Sequence, residues 1–291
     1  MEESQVTAKL IQWAEGRDAI RAMLLTSTRA VPVPNAPVDD FSDYDVVLFV
    51  DNIHPFHEER SWLQDFGEVL VAYWDPIYMD PDFGIEKFGN VTQYADGLKI
   101  DFTLCPLEML QRIVQAPSLP AELDAGYRIL LDKDNLTTGM KAPTYKAYIP
   151  IPPTNEVYQT MINDFFSDAP YVAKCLLREE LLSAKWCLDY DMKHVHLRPM
   201  LEWRAGVEHN WSAATGSLGK GLKKKLPAEI WPQLEDTYAG ANTRDNWEAL
   251  FRTITLFREV ALEVGESLGY EYPLELDQRV TAFAHRMQRL S

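Results

Sequence analysis

A chain of 291 residues, 46% of them hydrophobic, can bury a substantial core, and its length suits two domains better than one. Its formal net charge of −16 argues against non-specific binding to DNA or RNA, whose phosphates it would repel, and favours cationic small molecules. No apolar run is long enough to span a membrane and nothing resembles a signal peptide, so a cytoplasmic protein without a membrane partner is expected.

In chain order, Val6, Leu10, Trp13 and Ala14 recur on one face and predict a helix before Arg21. Residues 22–26 predict a strand that ends in Ser27-Thr28-Arg29, whose hydroxyls, backbone N–H groups and guanidinium could hold phosphate oxygens. The proline-rich stretch 31–37 predicts an extended surface loop. Residues 41–50 then read as a buried strand. Because strand side chains alternate, Asp43 and Asp45 point the same way and Tyr44 the other. Two carboxylates so placed repel each other unless a cation sits between them. Mg²⁺ takes oxygen ligands and leaves positions for water and phosphate, which suits the pair; the plainer reading is a solvated turn capping the strand.

Residues 55–66 predict a helix stopped by Gly67, residues 69–74 a strand, and residues 75–90, rich in Pro, Asp and Gly, a loop. The Asp96-Gly97 turn joins strands at 91–94 and 98–104 into a hairpin that carries Asp101 on its polar face. A helix at 107–114 lies between Pro106 and Pro117, and residues 128–132 complete a sheet. The proline-dense stretch 148–153 is the best domain boundary, dividing the chain into 1–150 and 151–291. Long helical patterns follow it. The expected fold is therefore α+β: an N-terminal mixed sheet with flanking helices, then an all-helical C-terminal domain.

Asp168 ahead of Pro170 predicts a helix start, with the helix running to about residue 190. On that wheel Lys174, Arg178 and Lys185 fall within roughly 40° of one another beside Tyr171, a basic stripe that invites an anion or is simply solvated among glutamates. Pro199 predicts a kink or a break near Val195; His194 and His196, two apart, do not form a ligand pair. Residues 215–225 fail the P-loop pattern, but flexible backbone followed by lysines can still neutralise phosphate. Trp247, Leu250, Phe251, Ile254 and Phe257 form a core stripe, and a last helix follows. Cys105, Cys175 and Cys187 lack disulfide or zinc spacing and are expected as buried packing residues.

A hydroxyl and an arginine after one strand, Asp-x-Asp on the next and a lone acid on a third resemble the layout of the nucleotidyltransferase superfamily. More narrowly, Phe41-Ser42-Asp43-Tyr44-Asp45, Leu63-Gln64-Asp65-Phe66-Gly67, Lys99-Ile100-Asp101-Phe102-Thr103-Leu104, Pro170-Tyr171-Val172-Ala173-Lys174 and Asn246-Trp247-Glu248-Ala249-Leu250-Phe251 resemble, in order and nearly end to end, the aminoglycoside 6-adenylyltransferase (streptomycin adenylyltransferase) family. The resemblance implies a nucleotidyltransferase domain at 1–150 and an acceptor-binding domain at 151–291. It implies Mg²⁺ on Asp43, Asp45 and Asp101, with ATP contacts from Ser27, Thr28, Arg29, Lys174, Arg178 and Lys220. Asp101 or Glu180 would be the catalytic base; Glu180 matches the acid of the family's Arg-x-Glu-Leu stretch, here Arg178-Glu179-Glu180-Leu181. The implied partners are a nucleoside triphosphate and a cationic acceptor, streptomycin first, whose hydroxyl would receive AMP. The family usually has Gly-Ser-Arg where this chain has Ser27-Thr28-Arg29, and the lost glycine bears on close approach to phosphate. The alternatives are another acceptor, or a nucleotide-binding homologue without turnover. The joint presence of Asp43, Asp45 and Asp101 argues against the second.

Overall fold

The computed structural model describes residues 3–32, 38–39 and 41–291, so most of the proline-rich stretch 31–37 lies outside the described residues. The chain divides into two compact units, residues 1–147 and 148–291.

The first unit runs α1 (Glu3–Glu15), β1 (Ile20–Thr26), a 3₁₀ turn (Ser27–Ala30), β2 (Tyr44–Val50), α2 (His54–Glu58), a 3₁₀ turn (Ser61–Phe66), β3 (Val69–Trp74), β4 (Tyr78–Met79), β5 (Glu86–Tyr94), β6 (Lys99–Pro106), α3 (Leu107–Gln115), α4 (Ala121–Asp124) and β7 (Tyr127–Asp132). Seven strands form one mixed sheet in the order β3-β5-β6-β2-β1-β7, with β4 on β5. Among the described residues only β2 and β6 pair in parallel; the other pairings are antiparallel. The central strands are apolar toward both sides, so alternate residues feed two cores. Met23, Leu25, Val46 and Leu48 join Val6, Leu10 and Trp13 of α1 in one. Ala22, Leu24 and Phe49 join Met109, Leu110 and Ile113 of α3 in the other.

In this unit β2, the helix at 55–66 and β5 differ from their sequence patterns. β2 begins at Tyr44, which leaves Asp43 and the 91% exposed Phe41 ahead of the strand. The helix expected at 55–66 is split, because Glu59 is extended (φ −96°, ψ 108°) and its carboxylate caps the Ser61 N–H at 2.9 Å. β5 begins at Glu86, inside the expected loop 75–90, because Phe88 and Asn90 alternate inward and are buried. The turn residues act only ahead of it, where the Asp80 carboxylate accepts from the N–H groups of Asp82 and Phe83 and Gly84 has φ 62°.

The second unit is helical: α5 (Asn155–Leu177), α6 (Leu181–Lys185), a π-helical stretch (Trp186–Leu197), α7 (Arg198–Glu208), 3₁₀ turns at Ser217–Gly219 and Leu222–Lys224, α8 (Ile230–Glu235), α9 (Thr243–Leu268) and α10 (Leu274–Gln288). The α9 stripe packs as expected, with Phe257 stacked on Phe165 at 3.7 Å between ring centroids. α5 begins at Asn155, where the Thr154 hydroxyl accepts from the Val157 N–H, and not near Asp168. Tyr158, Ile162, Phe165 and Ala169 already carry the helical period there, and Pro170 lies inside α5. Pro199 falls in the first turn of α7, and the break expected near Val195 is a change from π- to α-helix at Leu197 and Arg198. All three cysteines are buried. No described helix is long and apolar enough to cross a membrane.

α9 and α10 are tied by a buried charge. Asp277 is fully buried and accepts from Arg258 Nη2 (2.6 Å), Arg258 Nε, Tyr272 Oη (2.8 Å) and Thr281 Oγ1 (2.9 Å). Burial works to raise its carboxyl, but the bonds from Arg258, Tyr272 and Thr281 outweigh it and hold the group below the usual carboxylate range. Asp277→Ala should therefore cost about 3 kcal/mol of stability in urea melts, because Arg258 loses its partner. The lowered group also fixes the sign with pH. Its stabilisation is complete above about pH 4 and is lost as pH falls through the lower folded value. Wild type should lose stability on acidification more steeply than Asp277→Asn; parallel acid limbs would refute the assignment.

Candidate active site

The parallel register of β2 and β6 sets the geometry of the site. Asp45 pairs with Asp101 and Tyr44 with Ile100, so Asp45 and Asp101 stand side by side on one face at the start of the two strands. One step earlier, Lys99 reaches across to Asp43. Its ammonium lies 2.5 Å from Asp43 Oδ2 and 2.9 Å from Asp101 Oδ2, a cation bridging two carboxylates 58 residues apart in sequence, Asp43 and Asp101. Partial burial opposes the charged lysine, but the two bonds outweigh it and raise its pKa.

Asp45 is perturbed the opposite way to a paired acid. Burial pushes its carboxyl above the usual range and the charge of Asp101 adds to this; a Ser27 side-chain hydrogen bond pulls it back, Asp43 raises it again and Lys99 lowers it. β1 pairs its last residue, Thr26, with Asp45, which brings the Ser27–Ala30 turn to the same end of the sheet.

Ser27 has φ 61°, the left-handed conformation that glycine adopts freely and other residues adopt at a cost of about 1–2 kcal/mol. The backbone thus takes a glycine-like shape at the position where the family usually has glycine, and the Ser27 side chain works to lower the Asp45 carboxyl. Arg29 does not present its guanidinium to solvent. Its side chain is 8% exposed, donates to the carbonyls of Ser42 (2.6 Å) and Asp43 (3.0 Å), pairs with Glu3 at 3.1 Å and covers the Tyr44 ring at 4.0 Å. It clamps the segment that carries Asp43. Thr28 is half-buried on the same turn.

The structure therefore brings together Ser27, Arg29, Asp43, Asp45 and Asp101, and adds Lys99. The signal for Lys99 was present, since a lysine two residues before Asp101 on a strand faces the same way. The donor chemistry, three hard carboxylates with excess negative charge, fits a divalent cation. Their side chains do not converge as placed: among the described residues no group of three or more His, Cys, Asp or Glu is arranged to hold a metal ion. Lys99 takes the place between Asp43 and Asp101.

The remaining candidates belong to the helical unit. Lys174 is in the last turn of α5, its ammonium 5.9 Å from the centroid of the Phe283 ring. Arg178 follows α5 as its C-cap, and Glu179 breaks the helix with φ 59°, so Lys174, Arg178 and Lys185 do not form one stripe. Lys185 is held by Asp189 (2.6 Å) and the Ala239 carbonyl (2.7 Å). Glu180, at the N-cap of α6, is exposed and lies 4.0 Å from Arg178. Lys220 is exposed beside the turn that Gly216 (φ 77°) and Gly219 (φ 74°) shape. His196, no ligand pair with His194, lies 3.2 Å from Asp168.

The sequence profile of the streptomycin adenylyltransferase family matches residues 1–287. The chain belongs to that family. It is accordingly a nucleotidyltransferase enzyme. Curated relatives called aminoglycoside 6-adenylyltransferase include one from Campylobacter jejuni, 31% identical over 99% of this chain and 96% of the relative, and one from Bacillus subtilis, 29% identical over 97% and 96%. A crystal structure of an aminoglycoside 6-adenyltransferase from Bacillus subtilis is similar at 25% identity and a TM-score of 0.44, covering 99% of both chains.

The Ser27 backbone gives a test whose sign is unusual. At ordinary positions glycine is less stable than alanine by about 0.4–1 kcal/mol; at a left-handed residue the order inverts. Ser27→Gly should be more stable than Ser27→Ala by about 1 kcal/mol in thermal or urea melts. The ordinary order, alanine above glycine, would refute the left-handed turn.

Proposed function

We propose that this enzyme transfers AMP from ATP to a hydroxyl of an aminoglycoside, with streptomycin the first candidate and Mg²⁺ the metal. The observation that carries the reading is the carboxylate set at the paired starts of β2 and β6, Asp45 beside Asp101 with Asp43 adjoining, in a chain matched end to end by the family. The family name and the names of the curated relatives support the acceptor class, and the net charge of −16 suits a polycation.

In this reading Asp43, Asp45 and Asp101 would hold the metal. When bound, Mg²⁺ supplies charge that polarises the α-phosphate and stabilises the departing pyrophosphate. The chain's own residues do the rest. The acceptor hydroxyl oxygen forms a bond to the α-phosphorus, the bond to the pyrophosphate oxygen breaks, and a carboxylate takes the hydroxyl proton. Asp101 on the catalytic sheet is the favoured base, and Glu180 then anchors a guanidinium or amine of the acceptor. Lys174, Arg178 and Lys220 are the proposed triphosphate contacts from the helical unit. Ser27, Thr28 and Arg29 act at the strand end, Ser27 through Asp45 and Arg29 through the Asp43 segment. The proposed domain roles follow: nucleotidyl transfer for 1–150 and acceptor binding for 151–291.

The test is pyrophosphate release from ATP and MgCl₂ with streptomycin as acceptor. Asp43→Asn and Asp45→Asn should abolish it with the fold intact, since each removes a charge at a strand end and no core volume; turnover within a few-fold of wild type would reject the site. Glu180→Gln should lower kcat/KM for streptomycin by about ten- to a hundredfold, the worth of one charge-assisted contact, with KM for ATP little changed. If calorimetry finds no streptomycin binding in the presence of ATP and magnesium, the acceptor is another molecule.

A further inference from the structure

Lys99 has no role in the transfer just described, yet its ammonium pairs with two of its carboxylates, at 2.5 Å from Asp43 and 2.9 Å from Asp101. We propose that Lys99 is a positioning residue, an internal counter-ion that holds Asp43 and Asp101 in place and competes with the divalent cation for them. The inference rests on the proposed metal role of those carboxylates.

Direct competition follows from distances. Mg²⁺ binds carboxylate oxygen at about 2.1 Å and demands near-octahedral geometry. An ammonium within 2.9 Å of the same oxygens would sit only about 4 to 5 Å from the metal at most, where two positive centres repel unless one withdraws. The lysine is the one able to move. Its side chain is 28% exposed and has a flexible four-carbon stem, whereas Asp101 is fixed within paired β6 and the Asp43 segment is clamped by Arg29.

The bridge is also built by the sheet and is not a chance surface pair. Tyr44 is in register with Ile100 and Asp45 with Asp101, which sets the residues just before them, Asp43 and Lys99, level with each other at the open ends of the strands. Both carboxylates and the ammonium are about a quarter to a third exposed, 33%, 27% and 28%, so water and ions reach the bridge. An ammonium offers three donors and no acceptor, enough to hold two carboxylates at once. Asp45 adds a third negative charge alongside, in register with Asp101.

The experiment titrates MgCl₂ into the nucleotide-free full chain by calorimetry, with thermal melts in EDTA and in magnesium, for wild type, Lys99→Met, Lys99→Gln and Lys99→Arg. Lys99→Met should bind magnesium about tenfold or more tightly than wild type, about 1.4 kcal/mol. It should melt below wild type in EDTA and regain most of that loss in magnesium, because the metal replaces the missing charge. Lys99→Arg should stay near wild type. Lys99→Gln keeps hydrogen-bond donors without charge and serves if Lys99→Met does not fold; it too should gain affinity. A gain under about threefold is what a distant, screened charge gives and overturns the proposal. So does a melting deficit that magnesium fails to repair, which marks a purely structural ion pair, and so does absence of magnesium binding in wild type and variants alike. Failure of streptomycin turnover with this magnesium response intact would instead count against the acceptor.

Discussion

Two carboxylates held level on neighbouring parallel strands are the constraint on which the first unit depends. Like charges directly opposite on paired strands repel, and at Asp45 burial adds to the cost of ionisation. The sheet cannot relieve this by slipping, because a one-residue shift would turn Val46 and Leu48 out of their core. The hydrophobic register therefore fixes the carboxylate pair, and compensation has to come from side chains around it. Lys99 supplies a positive charge to Asp43 and Asp101, and both Lys99 and the Ser27 side chain work to lower the Asp45 carboxyl. A hard cation binding there would have to take over compensation that Lys99 already supplies.

That view changes the meaning of the turn after β1. A hydroxyl and an arginine after a strand read naturally as phosphate ligands, yet Arg29 spends its donors on the Ser42 and Asp43 carbonyls and on Glu3. Asp43 lies outside β2 and has no strand partner to hold its backbone, so the guanidinium takes over the work a sheet ladder would have done. Ser27 holds a strained backbone angle in a turn that suits glycine, and its side chain works to lower the Asp45 carboxyl. Strain of this kind persists where the surrounding structure over-determines it, here in the turn that follows β1.

Much of this was legible in the sequence. The apolar runs of β1, β2 and β6, the Asp96-Gly97 turn and the change to helical periodicity beyond residue 148 are local signals, and local signals carried the α+β architecture. The misreadings have local causes too. Proline and glycine density at 75–84 hid the alternation of β5 from Glu86 onward, and the Asp168-Pro170 pair imitated a helix start within a helix already thirteen residues old. What no local pattern could supply were the long-range facts: β7 returning to β1, β2 lying parallel to β6, and Lys99 meeting a carboxylate 56 residues away. The acids stand out as Asp-x-Asp and as a lone acid on a hairpin strand, whereas Lys99, two residues from one of them, forms no such pattern.

In the helical unit the charges have reasons of their own. A helix C-terminus carries partial negative charge and favours cations, and an N-terminus favours anions, each by about 0.3–1 kcal/mol. Lys174 and Arg178 stand at the end of α5 and Glu180 at the start of α6, so the break at Glu179 suffices to explain their signs. Their 4.0 Å pairing is too open to the solvent to bind either strongly. Weakly held charges at helix ends are inexpensive to redirect, which is the property a site needs if it is to exchange an internal partner for a ligand of the same sign. The two units thus use ion pairs differently: Lys99 is held by two short bonds that the sheet register builds, whereas Arg178 and Glu180 meet only at 4.0 Å in solvent.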